Sequence, residues 1–432
     1  MKTVRSVARR LRPCLRLLVG LTGVAACAAS VPVPARAALP STSASTPVSV
    51  DTPTWETAAG PWGRLRYARV RLRTPSATLE GLRFPAADRW FFPREETPGL
   101  DAWLAAAPLT PAQRAPLLDP ARRTADPATG GIWLQVDDAW RHGLGAEARL
   151  YLYRRLARHP QNAAQAFPFA LPPDDVLARA ELNPTLRAAL ARLAYPAGGR
   201  RLISDTDLLL PLAQDDEERT ELARALCTFD TLAVDVLRPE SAAEATAMAA
   251  YWSPGGSPRA GDALRRFALT PDLAEVGLAT FLPPLPQALL NRFADGQTSP
   301  GRANCFWMSL NFFRLQTNDA VLPTTDDAAD LSLPATMADL DQHYEPVTPP
   351  YRLGDVICLT TTRADGQTVL SHMVAYVADG VVLTKNGAGA MSPFMLSPLA
   401  EVLDHYSWPE PVELHAFRPR PGSPALPVWE DD

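Results

Sequence analysis

The sequence predicts an α+β protein: a small β-containing N-terminal unit, a mainly helical middle, and a C-terminal domain in which a helix packs on an antiparallel sheet. Three observations carry that expectation. Residues 100–290 hold amphipathic and capped helical segments. Residues 354–386 hold strand-like runs rich in β-branched and aromatic residues, two of them flanking Asp379-Gly380. One further helical signal, at Asn304–Phe313, comes just before those runs. The composition fits: 47% of 432 residues are hydrophobic, enough to build two domains or more, and a charged fraction of 21% argues against wholesale disorder. The 44 prolines against 24 glycines predict many short elements joined by Pro-bearing loops.

Residues 1–37 have the pattern of an export signal. Lys2, Arg5, Arg9, Arg10, Arg12 and Arg16 precede an apolar stretch from Leu17 to Ala29, and Ala35-Arg36-Ala37 offers the small-x-small cut site. The stretch is short for a bilayer span, which needs about 20 residues. An alternative lies within it: Val24-Ala25-Ala26-Cys27 resembles a lipoprotein cleavage box, which would make Cys27 a lipid anchor. The chain is therefore expected to be exported, periplasmic or secreted, with no transmembrane span after processing. Setting aside the seven basic residues of this segment changes the formal charge from −5 to −12. Such an acidic chain is a poor nucleic-acid binder. Of five cysteines, only Cys227, Cys305 and Cys358 would remain, too few for a disulfide scaffold and odd in number.

Residues 38–52 are rich in Ser, Thr and Pro and are expected to form a linker. Residues 53–99 form the small β-containing unit: Leu65, Tyr67, Val70 and Leu72 interleave with arginines from Arg64 to Arg73, and Trp90, Phe91 and Phe92 add apolar mass. In the helical region, 100–290, Ala146 to His159 is amphipathic with Leu150, Tyr151, Tyr153 and Leu156 as its apolar set. Ser241-x-x-Glu244 fits a capping box, and Thr270-Pro271 fits an N-cap followed by proline. No metal-ligand spacing, phosphate loop or repeat stands out there, so this region is expected to be scaffold. Residues 291–420 form the last domain and 421–432 a tail.

The chemistry-bearing residues lie in that last domain. Asn304 is a good N-cap, which puts Cys305 in a first helical turn with Phe306, Leu310 and Phe313 anchoring the helix. A thiol so placed is expected to have its pKa lowered. His372 opens a strand that runs through Tyr376 and Val377. A three-residue loop, Ala378–Gly380, would pair Val377 with Val381 and bring His372 opposite Asn386; a two-residue Asp-Gly loop would bring it opposite Gly387. In the first case Asn386 can orient the imidazole. Asp379 lies too far along the strand to do so. Asp355 shapes the start of its strand, and Cys358 alternates into the core. A zinc site of Cys305, Cys358 and His372 lacks a close ligand pair, so no metal or other cofactor is expected.

The order of these parts resembles the NlpC-like papain-fold cysteine peptidases and amidases, and the related CHAP amidases. The matching stretches are Asn304-Cys305, Gly354-Asp355-Val356, Ser371-His372-Met373-Val374-Ala375-Tyr376 and Lys385-Asn386-Gly387, within about residues 291–418. The chain departs from the family at Phe306-Trp307, where Ser-Gly is common. The resemblance implies a Cys305-His372-Asn386 triad acting on peptide or amide bonds through a thioester. Oxyanion donors would be the Cys305 backbone N–H and Gln297. Asn304, Trp307 and Tyr376 would line the cleft, and peptidoglycan stem peptides would be the substrate class. Two other classes compete: a non-catalytic papain-like binding module, and a helical interaction protein whose β unit is structural. Acyl transfer would use the same chemistry as hydrolysis.

Overall fold

The computed structural model describes residues 48–49, 53–80, 82–254, 258–293, 304–313, 333–362, 366–386, 391–423 and 425–426. The export segment, Cys27, Gln297 and Gly387 lie outside them. The chain is a mixed α and β protein built on antiparallel sheets. No helix of the described residues is long and apolar enough to cross a membrane.

The chain divides into two compact units that are not consecutive in sequence. One holds residues 1–72, 229–402 and 412–432; the other holds 73–228 and 403–411. This differs from the linear division of the sequence at 53–99, 100–290 and 291–420. The reason is strand pairing. In the first unit, the strands Val48–Ser49 (β1), Trp55–Glu56 (β2), Leu65–Arg73 (β3), Thr228–Leu237 (β4) and Glu275–Gly277 (β5) share one sheet. The arginine-laced strand β3 thus leaves the small N-terminal unit to join residues from the expected helical region.

The second sheet of this unit has six strands: Tyr344–Val347 (β6), Val356–Thr362 (β7), Thr368–Ala378 (β8), Val381–Lys385 (β9), Phe394–Pro398 (β10) and Glu413–Pro419 (β11). Their order is β6-β11-β7-β8-β9-β10, antiparallel throughout. Both sheets feed one core. Leu65, Tyr67 and Val234 from the first share it with Val356, Ala375, Leu383 and Phe394 from the second. Tyr67 Oη donates to Asp379 Oδ2 at 2.9 Å, and Thr231 Oγ1 donates to the Leu396 carbonyl at 3.0 Å. Helices Ala242–Trp252 (α1) and Pro258–Leu269 (α2) add Met248, Trp252, Leu264 and Phe267.

Local signals explain several of these ends. Ser241 caps α1, accepting from Glu244 N at 3.1 Å; the returning carboxylate bonds Glu240 N rather than the Ser241 amide. Thr270 does not open a helix. It closes α2, donating through Oγ1 to the Arg266 carbonyl at 2.8 Å, and the chain turns at once with Leu273 N on Thr270 O.

The other unit carries two three-stranded sheets. Ile132–Gln135 lies between Arg89–Phe92 and Arg123–Ala125, and Arg200–Ile203 lies between Phe169–Ala170 and Tyr195–Ala197. Residues 100–290 are therefore less uniformly helical than the sequence predicts. Helix Ala146–Leu156 buries Ala148, Arg149, Leu152, Tyr153 and Leu156, whereas Leu150 and Tyr151 are only partly covered. The buried face is rotated from the expected one because it includes an arginine. Arg149 Nε donates to Asp205 Oδ2 at 3.1 Å, Tyr153 Oη donates to the same carboxylate at 2.7 Å, and Arg141 Nη1 reaches it at 3.3 Å. Arg141 also forks onto Asp207 through two 2.9 Å bonds. Arg141, Arg149 and Asp205 are essentially shut off from solvent.

Candidate functional site

Cys305 starts the helix Cys305–Leu310 (α3), as the cap predicts. Asn304 has extended backbone angles, and its Oδ1 accepts from Trp307 N at 3.0 Å. The helix ends when Asn311 turns back, its Nδ2 donating to the Trp307 carbonyl at 2.8 Å. Trp307, Met308 and Leu310 hold α3 in the core, packed against β8 and β9. The Gly354-Asp355 pair supports the same helix from the sheet side. Gly354 has φ +79°, and a Cβ there would lie 2.1 Å from the Phe313 ring. Asp355, buried, accepts from Arg418 Nε at 2.8 Å and Nη2 at 2.7 Å and from Arg352 N at 2.8 Å.

The hairpin takes the second of the expected loops, the two-residue Asp-Gly turn, followed by an irregularity that neither expectation includes. Asp379 (φ 50°) and Gly380 (φ 75°) form a two-residue turn with both residues left-handed, and Ala378, not Val377, pairs with Val381. The register then shifts between Ala378 and Tyr376, so that Tyr376 pairs with Val382 and Ala375 with Leu383. One residue, Val377, is absorbed by the irregularity. Continuing that register along the strand brings Thr384 opposite Val374, Lys385 opposite Met373 and Asn386 opposite His372. The short turn and the Asn386 pairing are thus compatible.

His372 is fully buried, and its Nε2 lies 2.8 Å from Thr384 Oγ1. Thr384 Oγ1 in turn donates toward Asn386 Oδ1 over a long 3.5 Å. Asn386 therefore reaches the imidazole through Thr384.

The sulfur of Cys305 lies beside the same stretch of β8. The backbone N–H groups of Met373, Phe306 and Cys305 itself, and the charge of Lys385, pull its thiol pKa down. Strand alternation sends the His372 side chain to the face opposite that of Met373. Met373 shares its face with Cys358, its partner on β7, and with Lys385. Among the contacts of the described residues, Cys305 and His372 are not joined by a hydrogen bond. Cys305 is 5% exposed, and burial pushes its thiol up to about 11, against the opposing pull of those N–H groups and of Lys385. The expected lowering is reversed because desolvation of a thiolate outweighs a few N–H contacts. Burial raises Cys358 as well, with Cys305 adding to it.

The cleft residues take other roles. Asn304 spends its side chain on the cap, Trp307 is core, and Tyr376 folds over its own hairpin, where Oη accepts from Gly380 N at 3.0 Å. The Cys305 amide, an expected oxyanion donor, lies at the start of α3. Among the described residues no cluster of three His, Cys, Asp or Glu could hold a metal. Two residues of the site escaped the sequence analysis. Thr384 and Lys385, both 0% exposed, end an otherwise apolar strand. A lysine closing a run as apolar as Val381-Val382-Leu383 is the signal that could have found it. Comparisons with protein-family models, with curated proteins and with solved structures return no match to this chain.

Proposed function

We propose that the chain is an exported thiol hydrolase of papain-like type, cleaving peptide or amide bonds with Cys305 as nucleophile. Peptidoglycan stem peptides are the substrate class that the sequence resemblance implies. The supporting observation is Cys305 at the capped start of α3, a helix packed on β8 and β9, the two strands that carry His372 and its partner Thr384. In this reading His372 is the base that the resemblance implies: its ring must reach the α3 face of the sheet, where it accepts the thiol proton as the sulfur is acylated. It returns the proton to the leaving amine, and water resolves the thioester. An amine in place of water makes the same step an acyl transfer.

A second reading has its own support. A thiol 5% exposed and pushed up to about 11 suits a papain-like binding module or a purely structural β unit. One experiment separates them. The full chain is incubated with purified muropeptides, and released stem peptides are followed by mass spectrometry. Hydrolysis reduced a hundredfold or more in both Cys305→Ala and His372→Ala supports the enzyme. Unchanged turnover in Cys305→Ala, or muropeptide binding with no turnover in the wild type, sinks it in favour of the module.

A further inference from the structure

The chain leaves the sheet unit after Val402, belongs to the other unit over residues 403–411, and returns at Val412. This strap comprises the end of helix Leu399–Tyr406 and the loop before β11. Its tail is fastened by Trp408 Nε1, which donates to the Gln165 carbonyl at 3.0 Å, by Arg154 Nε, which donates to the Pro409 carbonyl at 2.9 Å, and by an Arg158–Glu410 ion pair at 2.6 Å. Its head is fastened by one hairpin, whose strands Tyr195–Ala197 and Arg200–Ile203 turn at Gly198-Gly199. Gly198 has φ +61°, and a Cβ there would collide with Asp404 Oδ1, so the turn closes on the strap only with glycine. Gly199 N donates to Asp404 Oδ1 at 2.9 Å. Arg200 completes the clamp. Its Nε donates to Asp404 Oδ2 at 3.2 Å, its Nη2 to the Asp404 and His405 carbonyls at 3.1 and 2.9 Å, and its Nη1 to His405 Nδ1 at 2.9 Å.

The last of these bonds fixes a protonation state. A guanidinium has N–H donors and no acceptor, so His405 presents a lone pair at Nδ1 and is neutral. A proton on Nδ1 removes the bond and sets imidazolium against guanidinium. We propose that Arg200 and His405 form an acid-sensitive latch: the strap is fastened while the imidazole is neutral and loosens when Nδ1 takes a proton. The titratable and charged groups facing the ring are Arg200 from the hairpin and Asp404 and Tyr406 on its own helix, with Glu401 one turn back. Burial and the Arg200 charge lower the imidazole from its ordinary value, and Asp404 opposes them. A histidine depressed in the fastened strap and restored to about 6.5 in the loosened one favours fastening above about pH 6.5, and that preference is lost as pH falls below it. His405 keeps an exposed side, and screening by that water holds the change to about tenfold in the opening equilibrium. The latch owes nothing to the hydrolase reading and stands or falls without it.

The test is hydrogen–deuterium exchange of the full-length folded protein, read by mass spectrometry at pH 7 and pH 5 with intrinsic exchange rates divided out. The expected result is that peptides covering 403–411 open about tenfold more at pH 5, while helix Ala146–Leu156 of the same unit stays protected. His405→Asn offers a side-chain oxygen near the place of Nδ1 and does not titrate, so its strap is expected to be equally protected at both pH values. Arg200→Met removes the clamp, and its strap is expected to be open at both. A wild-type strap equally protected at pH 7 and pH 5 overturns the latch, whatever the variants do. A His405→Asn strap that opens at pH 5 as the wild type does also overturns it, and so does opening spread evenly through residues 73–228, which is general acid unfolding.

Discussion

Each unit of the molecule buries a cation, and the two are treated differently. In the unit of residues 73–228, Arg149 and Arg141 converge on Asp205, with Asp207, Asp138 and Tyr153 completing the set. Burial pulls the Arg141 guanidinium down, but its hydrogen bonds to Asp207 and Asp138 outweigh that, and its pKa is raised. In the sheet unit, burial wins over Lys385, and its ammonium is drawn down to about 8 with the Cys305 sulfur opposing. A charge matched by carboxylates is locked and serves to hold helices and strands in place. A charge left poised near neutral pH is one whose protonation can change during chemistry.

The largest expected effect breaks the matched cluster. Asp205→Ala strands Arg149 in the core and leaves Arg141 to Asp207 and Asp138. Removing one partner of a buried ion network costs about 3–5 kcal/mol. Urea unfolding followed by far-ultraviolet circular dichroism measures it. A loss below about 1 kcal/mol would mean that the arginines are compensated elsewhere, and the contrast between the two cations would disappear.

Lys385→Met is expected to act in the opposite direction. The folded-state pKa lies below the unfolded value of about 10.4. Between about pH 8 and 10 the unfolded chain therefore binds a proton that the folded chain does not, and stability rises with pH across that window. Below about 8 the penalty is fully present, on the order of 3 kcal/mol. The methionine variant escapes it. Its unfolding free energy should exceed that of the wild type at pH 7, with the advantage shrinking as pH approaches 10. An advantage that is flat in pH would place its origin in packing rather than in charge.

Which parts of this were legible beforehand follows from the range of the interactions. The Asn304 cap, the start of α3 at Cys305 and the turn at Asp379-Gly380 depend on neighbours within a few residues, and local chemistry specifies them. The Ser241 cap belongs with them. The pairing of β3 with β4 joins residues more than 150 apart, and no local pattern announces it. The Asp205 cluster hides for a related reason: Arg149 breaks the apolar face of its helix, and its partner lies 56 residues away. At the candidate site the succession of strands could be reasoned out, but the irregularity at Val377 could not. The assumption that a helix start must acidify its cysteine failed because it counted the N–H groups and left out desolvation.

The smallest effect sharpens the comparison with a buried group whose partner is neutral. Thr384 Oγ1 and His372 Nε2 share a hydrogen bond of 2.8 Å. Thr384→Val preserves the shape and removes the hydroxyl, so that a buried ring nitrogen loses its hydrogen-bond partner at a cost of about 1–2 kcal/mol. Thr384→Ser keeps the oxygen and should recover most of it. If the imidazole serves Cys305 as base, Thr384→Val also removes the partner that fixes the ring's tautomer and orientation. Muropeptide turnover should then fall more than stability does, and recover in Thr384→Ser. Equal losses in unfolding free energy and turnover would make Thr384 a packing residue and weaken the case for His372.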